Sequence, residues 1–420
     1  MADVRPLRAL HYDLARTGGL EMVAAPPYDV IDDADRAALL ARSPYNVVEI
    51  DLPRSDGDPY EHAARTLAAW RSDGVVVRDD VPTIWALQQE YRGPDGRSYL
   101  RNGFLARVRV DDYGPGRIRP HERTHPGPKE DRLRLTRATR ANLSPIFSLY
   151  DDPANAAWSA LEPHVQGSAW GEMTDADGTA HRVWTVSDEQ AIATVTETLA
   201  QTELLIADGH HRYETARVYA EEIGGDGGHR HVLMCLVALQ DPGLTVFPTH
   251  RLLTGLDAGR REQLYAALRR DWHFEPVAQD ALEPAADDGA LRIGFLDAED
   301  SHAAMLTLKD PAIVDAALAD KPGAYRQLDT AVLEALVLKG ALGMTEDDIS
   351  HFRGLQYARS SDEARELVRT HAADAAFFMG ATPVSRVRAV AAAGETMPPK
   401  STYFYPKVLT GLVFNPLDEA

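Results

Sequence analysis

The densest chemistry in the chain lies in Leu204-Leu205-Ile206-Ala207-Asp208-Gly209-His210-His211-Arg212-Tyr213-Glu214-Thr215-Ala216. The opening apolar run has the pattern of a buried strand. Tyr213, Ala216, Ala220 and Ile223 then recur three or four apart, the spacing of an amphipathic helix, and Gly224-Gly225 supplies its stop. Asp208, Gly209, His210, His211 and Arg212 therefore fall in a strand-to-helix turn. A glycine there permits a tight turn and close backbone approach. The first amides of a helix lack intrahelical acceptors, and the helix dipole makes that end positive, so the natural guest is an anion, above all a phosphate. Arg212 adds a planar, always-charged clamp. The plainer alternative is a structural turn, with Asp208 capping the helix and two histidines on the surface.

Four other stretches concentrate reactive side chains. Pro26-Pro27-Tyr28-Asp29 is a proline-stiffened loop that presents Tyr28 and Asp29. His121-Glu122-Arg123-Thr124-His125-Pro126-Gly127-Pro128-Lys129 gathers proton-transfer groups and cations in a loop. His121 and His125 are four apart, but Pro126 and the intervening residues do not suit a helical zinc pair, so no metal is assigned. In Pro248-Thr249-His250-Arg251, two readings stand: His250 and Arg251 face the same pocket as His210 and Arg212, or the stretch is a surface loop. Met397 to Lys407 packs aromatics, prolines and two lysines together, too apolar for a disordered tail, and is expected to dock back on the body. Lysine occurs only at 129, 309, 321, 339, 400 and 407, all other basic residues being arginine, and Lys129, Lys400 and Lys407 all fall in these stretches.

Positioning these residues requires more than one core. A chain of 420 residues exceeds the usual size of one, so two or more lobes are expected. The formal charge of −20 argues against broad binding to nucleic acid or anionic lipid. No apolar run is long enough to span a membrane, and Asp3 and Asp13 do not suit a signal peptide, which reads as a soluble, cytoplasmic protein. The single cysteine, Cys235, excludes an intrachain disulfide and falls in the apolar run 231–239, as a core thiol.

Element patterns give helices at Ala34–Arg42 (capped by Asp32 or Asp33), Tyr60–Arg71, Glu130–Asn142 and Asp188–Gln201. Strands are expected at Tyr45–Leu52, Thr83–Tyr91, Ser98–Val110, Ile146–Tyr150, Arg182–Val186 and Val232–Leu239, with a hairpin turn at Gly93-Pro94-Asp95-Gly96. Acidic residues at 280–288 read as a solvated loop. The fold class is α/β of mixed type. Regions 1–150 and 258–420 are read as mixed α/β segments flanking a strand-helix-strand core at 151–257.

Taken together, Pro27-Tyr28-Asp29-Val30, Asn46-Val47-Val48, His121-Glu122-Arg123-Thr124, Ala141-Asn142-Leu143-Ser144-Pro145-Ile146, Ala207–Ala216, Pro248-Thr249-His250-Arg251 and Met397–Lys407 resemble the DUF1015 family. The Asp208-Gly209-His210-His211-Arg212 turn also resembles that of the ParB/sulfiredoxin-like superfamily, and most closely its free-serine-kinase branch. That second resemblance covers about a dozen residues, and implies a strand-turn-helix core that binds nucleotide phosphates. Sulfiredoxin's reactive cysteine has no counterpart here, and no DNA-reading module of the partition proteins is visible.

What the resemblance implies is a phosphotransferase that uses ATP or ADP with magnesium on a small hydroxylated metabolite such as free serine. Gly209, His210, His211 and Arg212 would cradle the phosphates, with Lys129, Arg251 or Lys400 as further cations. Asp29, Glu122 or Asp208 would take the proton or hold magnesium. The alternative is a nucleotide-binding regulator of ParB-like type that uses the same cradle without turnover.

Overall fold

Strand His231–Ala238 is buried at every position, as a continuous apolar run requires when both faces of a sheet are covered. It belongs to a nine-stranded sheet. In this computed structural model, residues 2–93, 96–122, 126–285 and 291–418 are described. The expected turn residues Pro94 and Asp95, the loop residues Arg123, Thr124 and His125, and positions 286–288 of the acidic loop lie outside them.

The chain forms two compact units. The first comprises Met1–Pro120, Thr124–Thr245 and Pro406–Ala420. Its sheet contains β1 (Val4–Arg5), β2 (Ile84–Arg92), β3 (Ser98–Arg109), β4 (Ile118–Arg119), β5 (Ile146–Tyr150), β6 (Gly171–Thr174), β7 (Ala180–Val186), β8 (Leu204–Asp208) and β9 (His231–Ala238). The order is β4-β8-β5-β9-β3-β2-β7-β6, with β1 beside β3. Pairings β8–β4 and β9–β5 are parallel and the rest antiparallel, so the sheet is mixed, as expected.

Helices α1 (Asp33–Arg42), α2 (Val48–Asp51), α3 (Pro59–Ser72), α4 (Pro126–Thr139), α5 (Glu189–Leu199) and α6 (His210–Ile223) belong to the same unit. Their starts follow from sequence. Asp32 caps α1 in a reciprocal capping box with Asp35, and Asp188 caps α5 by accepting from Ala191 N. On α5, Ala191, Val195 and Leu199 are buried at a spacing of four, the stripe that packs on the sheet.

Two element readings are corrected. Tyr45–Leu52 is not a strand: Asn46, fully buried, accepts from Val48 N at 3.2 Å and donates to the Met22 and Ala24 carbonyls, which starts the short helix α2. A local side-chain bond thus overrides β propensity. Helix α4 begins at Pro126 rather than Glu130, because proline is tolerated in the first helical turn, and Ala141–Asn142 is extended instead.

The second unit comprises His121–Arg123 and Val246–Tyr405. It is built on an antiparallel sheet of β10 (His250–Leu253), β11 (Trp272–Pro276), β12 (Arg292–Asp297), β13 (Ala303–Leu308), β14 (Leu355–Ala358) and β15 (Ala375–Phe378), in the order β11-β13-β12-β15-β10-β14. Helix α7 (Ser361–Arg369) packs its buried Ala364 and Val368 into the core with Leu252 and Phe378. The alternative of a surface loop at His250-Arg251 is excluded: both lie in β10, buried at all four positions. Among the described residues, no helix is long and apolar enough to cross a membrane.

Candidate functional site

Strand β8 delivers Asp208 to the turn with a register irregularity after Ile206. Gly209 follows in the left-handed region, φ 94°, and no side chain caps α6. A Cβ at Gly209 would stand 3.0 Å from Nε of Arg212, so the position is closed to other residues by strain and by space. Asp208 is therefore not the helix cap. One carboxylate oxygen accepts from Lys407 Nζ at 2.9 Å and the other from Arg212 Nη2 at 3.0 Å. Burial alone would raise its pKa; the charges of Lys407 and Arg212, with His210 beyond them, hold it well below the carboxylate range.

Arg212 is an internal strut more than a free clamp. Its Nη1 donates to Ser144 Oγ at 2.7 Å and to the Pro145 carbonyl, while Nε is buried without a partner. Ser144 Oγ in turn meets Thr410 Oγ1 at 2.9 Å. Beside this strut, Arg132 of α4 donates to the Asp51 carboxylate at 3.2 Å and carbonyl at 2.8 Å, and its guanidinium lies 4.3 Å from the Tyr28 ring centre. Burial pushes Asp51 up, against the pull of Arg132 and Arg212; burial likewise raises Tyr28 to about 12. A cavity of about 40 Å³ lined by Asp51, Arg132, Ser144, Arg212 and Thr215 has room for little more than a water.

Lys407 is the residue that sequence reasoning left off the site. Its scarcity and its place in the aromatic tail were the only signals. The sheet aims it. Arg101, 1% exposed, donates to Gln89 Oε1 at 3.1 Å and to the Pro406 carbonyl at 2.6 Å, and lies 4.5 Å over the Phe147 ring. Gln89 Nε2 donates to the Lys407 carbonyl at 2.9 Å. Two buried side chains on neighbouring strands thus hold the backbone from which the ammonium reaches Asp208.

The other expected site residues divide between the units. In the first, Asp29 is exposed on the one-turn helix Tyr28–Val30, and His210 is buried while His211 is half-buried. Lys129 stands on α4, its carbonyl 3.4 Å from Thr215 Oγ1 of α6. In the second, Glu122 accepts from Lys400 N at 3.3 Å, and Lys400 is exposed with φ 58°. Arg251, 3% exposed, spends its guanidinium on the Thr249, Pro399 and Lys400 carbonyls. His121 Nε2 lies 2.8 Å from Thr402 Oγ1, and Met397 N donates to the His121 carbonyl at 2.7 Å, so residues 397–405 are packed, as the tail's composition implied.

The second unit also contains an apparent acid-serine-histidine chain. Ser361 Oγ donates to Glu283 at 2.6 Å and lies 3.1 Å from His250 Nε2. His250 Nδ1 accepts from Met379 N at 3.2 Å, so the ring proton must be on Nε2, directed at the serine. A histidine in that tautomer cannot take the serine proton, and the chain is structural. Burial pushes His250 down to about 4. Cys235, wholly buried and raised to about 12 by burial, is the core thiol that its sequence implied. Among the described residues, no group of three or more His, Cys, Asp or Glu is placed to hold a metal.

The description "Protein of unknown function (DUF1015)" matches residues 4–331, more than half of the chain. The chain belongs to the DUF1015 family. No curated protein matches this DUF1015 chain. Among solved structures, it is similar to a free serine kinase in complex with AMP, at 14% identity and TM-score 0.37 over 71% of this chain and 87% of that one. It is also similar to a conserved hypothetical protein from Pyrococcus furiosus, at 15% identity and TM-score 0.36 over 71% and 90% of the two chains. A third is SbnI with a C-terminal truncation from Staphylococcus aureus, at 13% identity and TM-score 0.37 over 73% and 85%. Likeness at this level is too distant to assign a ligand or a reaction.

Proposed function

We propose that the first unit binds nucleotide phosphates at the Asp208–Arg212 turn and transfers a phosphoryl group to the hydroxyl of a small metabolite such as free serine. The observation that carries this reading is the pairing of a helix N-terminus opened by a left-handed glycine with Lys407 and Arg212, both held in place by one ionised carboxylate. The start of α6 presents the positive end of the helix dipole, and Lys407 adds an ammonium. Lys129, on the neighbouring α4, supplies a further cation. In the transfer, the substrate hydroxyl oxygen bonds to the terminal phosphorus, the bond to the remaining nucleotide breaks, and the hydroxyl proton passes to a carboxylate.

Asp208 does not suit that last role. A carboxylate held below its ordinary range by two cations is a weak proton acceptor. Both its oxygens are engaged, so it does not suit magnesium either. The proton is assigned to exposed Asp29, and magnesium would enter on the phosphates of the nucleotide. The same weakness of Asp208 favours the second reading, a regulator that binds nucleotide without turnover.

Calorimetric titration of the full chain with ADP, ATP and CTP, with and without magnesium, tests binding. Lys407→Ala is expected to weaken it by about thirty-fold or more. Variant and wild type binding all three nucleotides alike would remove the cradle. Phosphorus NMR with serine as acceptor then separates the readings: a new phosphomonoester means transfer, and saturable binding without one means a regulator.

A further inference from the structure

On the sheet of the first unit, β3 lies between β1 and β9, and the register sets their side chains in rows. Arg5 is opposite Arg107, and Arg107 is opposite Leu233; Arg109 is opposite His231. Asp3 continues the first row's strand and accepts the Arg109 amide at 2.9 Å through its carbonyl. Alternation along each strand puts Asp3, Arg5, Arg107, Arg109 and His231 on one face, opposite the face of Val4, Val108 and Val232, which enter the core.

This face is under-satisfied. Arg107 Nε and both ring nitrogens of His231 are buried and have no hydrogen-bond partner, although His231 is only 7% exposed. Buried polar groups are nearly always paired, so the two donors among these atoms, Arg107 Nε and one His231 ring nitrogen, point to a missing acceptor. The charges agree. Arg5 and Arg107 are like charges directly opposite, an unfavourable arrangement in a sheet. The one carboxylate, Asp3, is taken by Arg5 in two bonds of 2.7 Å. Neither Arg107 nor Arg109 has an ion-pair partner among the described residues. Burial, reinforced by Arg107 and Arg5, holds His231 down to about 4, so the ring is neutral and one nitrogen is a donor.

We infer that Arg5, Arg107, Arg109 and His231 form a binding site for a phosphate group. A tetrahedral dianion accepts from Arg107 Nε and the His231 ring at once, and relieves the repulsion between the arginines. The site is separate from the Asp208 turn. Asp208 is level with Phe147 and Cys235, while His231 is four residues back along β9 and two strands across, roughly 15 Å away at ordinary strand spacing. It therefore does not depend on the nucleotide reading.

The test follows the histidine-ring resonances of the full chain, with His231 assigned through His231→Gln, during titration with inorganic phosphate, glycerol 3-phosphate, or sodium chloride at matched ionic strength. Saturable shifts of the His231 ring with phosphate but not chloride are expected. The tighter of the two phosphates identifies the source, free phosphate or a phosphorylated metabolite. Arg107→Met should weaken binding at least tenfold, and Arg109→Gln, at an exposed position that leaves the fold intact, about threefold. Asp3→Asn should tighten it by removing the competing carboxylate. Chloride matching phosphate, no saturation, or Arg107→Met and Arg109→Gln both binding as wild type would overturn the site.

Discussion

Two of the chain's four His-Arg pairs, alike in composition, have opposite fates. His211-Arg212 lies in the first turn of a 14-residue helix that follows a left-handed glycine, half-buried beside a carboxylate and a lysine. His250-Arg251 lies within a strand buried at every position, its arginine spent on backbone carbonyls and its histidine locked in one tautomer. The lesson is that the residue types alone do not mark a site. What separates the pairs is the backbone beneath them: a helix start presents the positive end of a dipole, and a strand interior is paired on both sides.

The largest way to break this contrast is Arg251→Ala. It removes a buried guanidinium, leaves the Thr249, Pro399 and Lys400 carbonyls short of a donor, and should cost ~3–5 kcal/mol in denaturant unfolding. A loss under about 1 kcal/mol would mean that Arg251 is not structural. The next effect is on pH. His250 has its pKa depressed to about 4, so the unfolded chain binds the extra proton first. Its contribution is complete above the ordinary histidine pKa and is lost as pH falls from ~6.5 towards about 4, to the extent of ~3 kcal/mol. His250→Gln should flatten that part of the stability curve, leaving the similar share of His231. An unchanged slope would refute the buried neutral ring.

Gly209→Ala sharpens the other side. The positive φ and the contact with Arg212 should cost ~1–3 kcal/mol and weaken nucleotide binding, measured by calorimetry. Wild-type affinity in this variant would detach binding from the turn. The smallest effect is expected for Ser361→Ala. Loss of its bonds to Glu283 and His250 should cost about 1 kcal/mol, with no change in any phosphotransfer. Loss of activity with intact stability would reinstate the chain as catalytic.

Much of the fold was legible because its signals are local. The hairpin of β2 and β3, the Asp32 cap, and the strand-turn-helix at Asp208 each follow from residues within a few positions. Tyr45–Leu52 was not, since the helix there depends on Asn46 reaching carbonyls more than twenty residues earlier. The choice at His250-Arg251 stayed open because a polar pair interrupts the apolar pattern of a strand whose burial is set by partners at 355–358 and 375–377. Lys407 was illegible as a site residue because its aim depends on Gln89 and Arg101, some three hundred residues away.

That reach has a consequence in time. Lys407 follows Asp208 by 199 residues, so a ribosome adding 5–20 residues per second makes it roughly 10–40 s later. During that interval the nascent turn has Arg212 as its only salt-bridge cation, and the carboxylate at its centre is half-neutralised. The turn thus reaches its final charge balance only once residue 407 has been made, and a chain interrupted before it carries a centre that cannot complete itself.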